Sequence, residues 1–208
     1  MSAEPWEAAF ARGALLWGEA PSPMAVQAAD DFAAAGLREV LILGVGYGRN
    51  ARPFLERGLE VQGVELSATA ISLARERLGL RFPIHHGAAQ DLPPDSAPVH
   101  AVFGHALLHL LDAEARARTV AAARARLRPG GRLRFTLIST DAAFFGQGAR
   151  LGDDRYERAP GVELQFFREA RIRDELGPWG ALRVRRAEEP AGAGPPMPFF
   201  DVEIVPGG

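Results

Sequence analysis

Apolar and polar positions along the chain switch repeatedly between a strand-like and a helix-like period. EVLILG (39–44) is nearly continuous in apolar side chains, the pattern of a strand covered on both faces. EVQGVE (60–65), a weaker RFPIHHG (81–87), HAVFG (100–104), RLRFTLIS (132–139), a stretch near 181–188 and FFDVEIV (199–205) read as further strands. Helical signals fall between them. Residues 4–13 place Trp6 and Phe10 on one face. Ser22 caps a helix that has Pro23 at its first position and Gly36 just past its end. Arg49–Glu56 reads as a short helix stopped by Gly58. Ser67 caps a helix running to Leu78, before Gly79. Asp112 caps an Ala/Arg helix to Arg128, where Pro129-Gly130-Gly131 breaks it and feeds the next strand. A short helix is expected over Arg168–Leu176. LPPDSAP (92–98) reads as a turn and PAGAGPPMP (190–198) as a loop, while residues 140–167 lack a clear period. Alternating strands and helices predict an α/β sheet.

The 208 residues suit one domain, 1–208, comprising an N-terminal helical arm (1–36) and an insertion at 140–180 that covers the substrate. There is no cysteine, which excludes disulfides, thiolate nucleophiles and zinc–thiolate sites. All 24 basic residues are Arg, so Schiff-base chemistry and a P-loop lysine are excluded too. A net charge of −2 argues against nucleic acid as a partner. Seven Arg between Arg116 and Arg134 read as a solvated helix face. No apolar run reaches the ~18 residues of a membrane span, and the N-terminus lacks the features of a signal peptide. A cytoplasmic protein with no membrane partner is expected.

The strongest chemical signal is VLILGVGYGRNA (40–51), where a strand runs into Gly44, Gly46 and Gly48 and then a helix. Glycines there permit a sharp turn and let a ligand lie against bare main chain, beside a helix N-terminus. Glu65 ends the next strand 21 residues after Gly44, where a carboxylate can accept ribose hydroxyls. Together these predict a nucleoside-cofactor site. A dinucleotide fingerprint needs G-x-G-x-x-G, and here Arg49 stands where the third Gly belongs.

The loop resembles motif I of class I S-adenosylmethionine (SAM) methyltransferases, G-x-G-x-G. VELSATAISLARERL (64–78), HHGAAQDLP (85–93), VHAVFGHALLHLL (99–111) and LRPGGRLRF (127–135) resemble later motifs of the family, in its order. The GRNA that follows the loop resembles the bacterial tellurite-resistance type and its small-molecule relatives. The resemblance implies a Rossmann-like, doubly wound, seven-stranded sheet, mostly parallel with an antiparallel C-terminal strand. It implies SAM as cofactor, S-adenosylhomocysteine as product and a small-molecule acceptor, in a monomer or homodimer. Gly44, Val45, Gly46, Gly48 and Asn50 would line the cofactor loop. Glu65 would hold the ribose, Leu66, Ala88 and Ala89 the adenine, and Gly104 and His105 the methionine ammonium. Three positions depart from the family pattern: Ile42, Ala88 and His100 stand where acids are usual, and Gln90 or Asp91 could substitute for the second.

All five histidines lie between His85 and His109. His85, His86 and His100 read as packing residues. His105 and His109, at i and i+4, lack a third ligand, so no metal is expected. A neutral His105 or His109 could instead take a proton from an acceptor, with Tyr156 a third catalytic candidate. STDAAFFGQGARLGDDRYERAPGVELQFF (139–167) is the expected acceptor pocket, with Phe144, Phe145, Tyr156 and Phe166 as walls and Asp141, Arg150, Arg155 and Arg168 as polar handles. Trp6 and Trp17 could fold over the cofactor. Two alternatives stay open: a non-catalytic SAM- or nucleoside-binding protein, and an NAD-dependent oxidoreductase.

Overall fold

The computed structural model describes residues 4–12, 15–92, 97–191 and 194–207. Parts of the expected turn at 92–98 and loop at 190–198, and Gly13 of the first helix, lie outside the described residues. The elements are α1 (Glu4–Ala11), α2 (Pro23–Ala34), β1 (Glu39–Leu43), α3 (Arg52–Glu56), β2 (Glu60–Glu65), α4 (Ala68–Glu76), β3 (Ile84–His86), β4 (Val99–His105), α5 (Ala113–Ala125), β5 (Leu127–Ile138), β6 (Ala149–Gly152), β7 (Arg155–Ala159), β8 (Val162–Gln165), α6 (Glu169–Leu176), β9 (Ala181–Glu189) and β10 (Met197–Val205).

Seven strands form one sheet in the order β3-β2-β1-β4-β5-β10-β9. β1 pairs in parallel with β2 and β4, and β10 runs antiparallel to both β5 and β9. This is the predicted doubly wound, mostly parallel sheet with an antiparallel last strand. Its two faces are sealed by different residues of the same strand. Val40 and Ile42 of β1 join Ala25, Ala29 and Phe32 of α2 and Phe54 of α3 in one core cluster, whereas Leu41 and Leu43 join Val120 and Ala123 of α5 and Ile172 of α6. Double burial explains why β1 reads as an unbroken apolar run. It also accounts for Ile42: the side chain is committed to the core.

The capping residues act as predicted. The Ser22, Ser67 and Asp112 side chains accept the amides of Met24, Ala70 and Ala115 at 3.2, 3.0 and 2.8 Å. Several boundaries move. α4 stops at Glu76 and α5 at Ala125, and Arg49–Ala51 is a 3-10 turn ahead of α3. Pro129-Gly130-Gly131 does not end the helix. It lies inside β5, where the ladder to β4 jumps from Val99–Leu127 to Ala101–Arg132 and the intervening residues bulge out. A Cβ on Gly131 would stand 2.8 Å from the His100 carbonyl, so that bulge requires glycine. β10 begins at Met197, inside the segment read as a loop.

The aperiodic stretch contains a second sheet, β6-β7-β8, antiparallel throughout. Short strands with irregular register leave little alternation for a sequence pattern to reveal. Within the expected arm, α2 packs on the sheet through its buried Ala25, Ala28, Ala29 and Phe32, and α1 contacts α4. The arginine run is not simply a solvated face. Arg116 is buried with its fork on Glu175 at 2.8 and 2.9 Å, and Arg134 is wholly buried between Asp201 and Asp31. Lone guanidinium groups are not buried without such partners. His85 and His86 are exposed rather than packed, because β3 is an edge strand, and His100 pairs with Glu39 at the far end of the sheet from the glycine loop.

Candidate functional site

The strand order reverses direction between β1 and β4, and a crevice opens beyond their C-terminal ends, as open α/β sheets require. There Gly44, Gly46 and Gly48 all have positive φ, at 62°, 57° and 87°. A Cβ on Gly48 would lie 2.3 Å from Leu80 Cδ1 and one on Gly44 3.2 Å from Leu107 Cδ1. On Gly46 it would meet only Phe10, at 4.0 Å. Two of the glycines therefore serve packing, and the third opens bare main chain to the crevice.

Glu65 leaves the tip of β2 with its carboxylate turned to this loop. One oxygen accepts the Gly46 amide at 2.7 Å and the other the Ser67 amide at 2.9 Å. It is 7% exposed. Burial pushes its carboxyl above the usual carboxylate range, against the opposing pull of the two amides.

A cavity of about 340 Å³ extends from this point, within the range of small-molecule sites. Gly44, Val45, Gly46, Gly48, Asn50, Glu65, Leu66, Ala88, Ala89, His105 and His109 all line it. Gly104 does not; it sits in β4, where a Cβ would stand 2.8 Å from Phe135 Cδ1. Tyr156 is not brought to the cavity either; it packs edge-on against Phe145 and Phe166, at 5.7 and 6.0 Å. Of the expected acceptor walls only Phe144 reaches the cavity, joined by Val162 and Leu164 of β8. The expected polar handles are spent elsewhere, each in an ion pair: Asp141 receives Arg186, and Arg150, Arg155 and Arg168 face Asp153, Glu163 and Asp154. Near Ala88, Gln90 lines the cavity, whereas Asp91 receives Arg118 at 2.8 Å. Asn50 accepts the Ser22 amide at 2.8 Å through its side-chain oxygen.

The two histidines both pack on Phe199, each with ring centroids 5.9 Å from it. His105 ends β4 and His109 lies in the following 3-10 turn. Between them Ala106 holds a φ of 54°, costly for a residue with a Cβ. Its amide donates to Thr136 Oγ1 at 3.0 Å, and that hydroxyl lies 2.9 Å from His105 Nδ1. That hydroxyl donates to Nδ1 or accepts from it according to the His105 tautomer. The Ile138 amide donates to His109 Nδ1 at 3.3 Å, which leaves the His109 proton on Nε2. Burial drives both imidazoles down to about 3, helped by Arg49 at His105 and by His105 at His109. Both rings are neutral N–H donors near pH 7.

Pattern reading missed Arg49 and Glu189. The guanidinium donates to Glu189 Oε1 at 2.9 Å and to the Ala20 carbonyl at 2.9 Å. Glu189 also accepts Ser22 Oγ at 2.5 Å. Both line the cavity, and their partners lie 140 and 167 residues apart in sequence, beyond any local signal. Over the opening lie Trp6, Phe10 and Trp17. Tyr47, in the glycine loop, ties that cover down by donating to the Gly18 carbonyl at 2.8 Å and accepting the Trp17 amide at 3.0 Å.

Residues 40–131 match the methyltransferase domain family. An uncharacterized methyltransferase of Geobacillus kaustophilus is 36% identical over 106 residues, which are 50% of this chain and 47% of that protein. One from Mycobacterium tuberculosis is 34% identical over 107 residues, 51% and 42% of the two chains. The chain therefore spans about half the length of the curated relatives it matches. Among solved structures, the 1,6-didemethyltoxoflavin-N1-methyltransferase of Burkholderia thailandensis shares the fold with a TM-score of 0.74 at 21% identity, over 98% of this chain and 87% of that one. That structure carries bound 1,6-didemethyltoxoflavin and S-adenosylhomocysteine. The glycopeptide N-methyltransferase MtfA, solved with SAM, aligns with a TM-score of 0.61 at 23% identity, over 90% and 95%.

Proposed function

We propose that this chain is a SAM-dependent methyltransferase acting on a small-molecule acceptor, and that the methyltransferase domain match at residues 40–131 reports its chemistry. The observation that carries the reading is the Glu65 carboxylate held against the bare Gly46 main chain at the mouth of a 340 Å³ cavity. The residues fit the cofactor. Each Glu65 oxygen has a lone pair beyond the amide it accepts, so the group can receive two ribose hydroxyls without new desolvation. Leu66, Ala88 and Ala89 offer an apolar slot, and Gln90 supplies the amide that an adenine edge requires in place of the usual acid. GRNA (49–51 with Gly48) supports a place near the tellurite-resistance-type small-molecule branch.

When bound, SAM supplies an activated methyl carbon and a good leaving group for one in-line displacement. The protein's task is alignment and exclusion of water. Trp6, Phe10 and Trp17 cover the loop, and Phe144, Val162, Leu164 and Phe199 wall the other end. Burial disfavours the imidazolium that His105 or His109 would become on taking a proton, so they orient an acceptor more readily than they deprotonate one. We infer that transfer proceeds without a histidine base. The β6-β7-β8 sheet serves as the substrate cover. No described helix is long and apolar enough to cross a membrane, and a cytoplasmic enzyme, monomeric or homodimeric, is proposed.

Titration calorimetry with SAM, S-adenosylhomocysteine and NAD tests the reading. Micromolar binding of the first two and none of NAD is expected. Failure to bind SAM, or preference for NAD, overturns it. Release of S-adenosylhomocysteine in an acceptor screen separates an enzyme from a non-catalytic binding protein.

A further inference from the structure

We propose that Glu189 is the residue that selects the acceptor, by receiving an N–H or O–H hydrogen from a neutral, largely apolar molecule. The proposal rests on the methyltransferase reading for what the bound molecule undergoes, but its geometry stands alone.

Glu189 ends β9 and is 6% exposed, and it lines the same cavity as Glu65. A carboxylate offers about four lone-pair positions. Here one is used by Ser22 Oγ and one by Arg49. The neighbouring His105 does not use a third: its Nε2 is 4.0 Å from Glu189 Oε1, too far for a hydrogen bond. Acceptor capacity therefore remains on Glu189 where it meets the cavity. Around it the wall is apolar, with Ile138, Met197 and Phe199 among its members. In such surroundings a bound molecule without a donor leaves a carboxylate lone pair dry and unpaired, which is costly. A molecule with a donor satisfies it. Arg49 settles the charge of that molecule. It neutralises Glu189 within the same wall, so a cationic amine gains no net attraction and meets the guanidinium as well. A neutral N–H or O–H donor fits both conditions.

The test uses indole and benzofuran, matched in ring shape and differing in one N–H. Each is titrated into the wild-type chain with and without S-adenosylhomocysteine, and into the double variant Arg49→Met/Glu189→Met, which removes both charges together. The expected result is binding of indole to the wild type about ten-fold tighter than benzofuran, the scale of a hydrogen bond to a charged acceptor. That ratio should fall to near one in the double variant. Equal binding of the two rings to the wild type, no binding of either, or a preference that survives in the double variant overturns the proposal. The wild-type comparison needs no variant to fold. Failure of the wild type to bind S-adenosylhomocysteine overturns the methyltransferase reading, and the indole-to-benzofuran ratio still decides the role of Glu189.

Discussion

The Gly46 amide donates to the Glu65 carboxylate at 2.7 Å, so the glycine loop and the tip of the neighbouring strand are held by the same group that is proposed to grip the ribose. Glu65 is buried and its carboxyl is raised by that burial. Removing the charge should therefore weaken cofactor binding more than it disturbs the fold. Glu65→Gln is expected to lower SAM affinity roughly 10- to 100-fold, the scale of one or two hydrogen bonds to a charged group. The sign of the pH effect follows from the raised value. As pH falls through it, Glu65 takes a proton, loses acceptor capacity, and releases SAM. Calorimetry across the weakly acidic range should show that decline in the wild type and its absence in Glu65→Gln.

The three loop glycines make a sharper comparison. Gly46→Ala meets only Phe10 at 4.0 Å but places a methyl where bare main chain faces the cavity, at a φ of 57°. It should fold, lose about 1–2 kcal/mol of stability to left-handed strain, and bind SAM poorly. Gly48→Ala adds a 2.3 Å clash with Leu80 to the same strain and should be much less stable. Urea midpoints and SAM titration on both variants check the split. Equal stability losses would contradict it.

Why was the cofactor half of this site readable from sequence and the acceptor half not? The cofactor half is built from short-range features: a strand, three glycines within five residues and an acid on the next strand tip. Each leaves a local mark, as do the caps Ser22, Ser67 and Asp112. The acceptor half is assembled from the ends of distant elements. Glu189 closes β9, Phe199 and Met197 come from β10, and Val162 and Leu164 from a small sheet whose four- and five-residue strands carry no usable period. Of the side chains expected from the long aperiodic segment, Phe144 lines the cavity and the polar handles do not. Arg150, Arg155 and Arg168 have the chemistry of ligand handles, yet each has a carboxylate within 3.5 Å. Ion-pair partners of that kind are set by tertiary contact, which spacing does not encode. The same holds for Arg116 and Arg134, which pattern assigned to solvent.

Tyr47 links the loop to the segment above it through two hydrogen bonds, and its ring stacks on Trp17 at 6.2 Å. Tyr47→Phe keeps the stack and removes both bonds. It should cost about 1 kcal/mol of stability and loosen the cover, raising the SAM dissociation rate several-fold with little change in association. Stopped-flow tryptophan fluorescence, which Trp17 itself reports, measures both rates. A change confined to association would place the cover's role elsewhere.

His105 and His109 give the last prediction its sign. Both imidazoles are held near a pKa of about 3 by burial, against an ordinary value of 6.5. Above pH 6.5 they are neutral in folded and unfolded chains alike and contribute no pH dependence. Below it, the unfolded chain takes up protons that the folded chain refuses, so stability falls as pH drops towards 3. Each histidine contributes a slope of up to about 1.4 kcal/mol per pH unit in that window. Glu65, whose carboxyl is raised, acts in the opposite sense. His105→Asn and His109→Asn retain an acceptor near the Nδ1 position and cannot titrate. Each should flatten the decline in urea midpoint between pH 6.5 and 4.5, and the double variant should flatten it most. If the proposed absence of a histidine base is right, methyl-transfer rates of the wild type will show no inflection near pH 6.5, because neither ring changes its charge there. An inflection at that pH that disappears in His105→Asn would restore a proton-accepting role to His105.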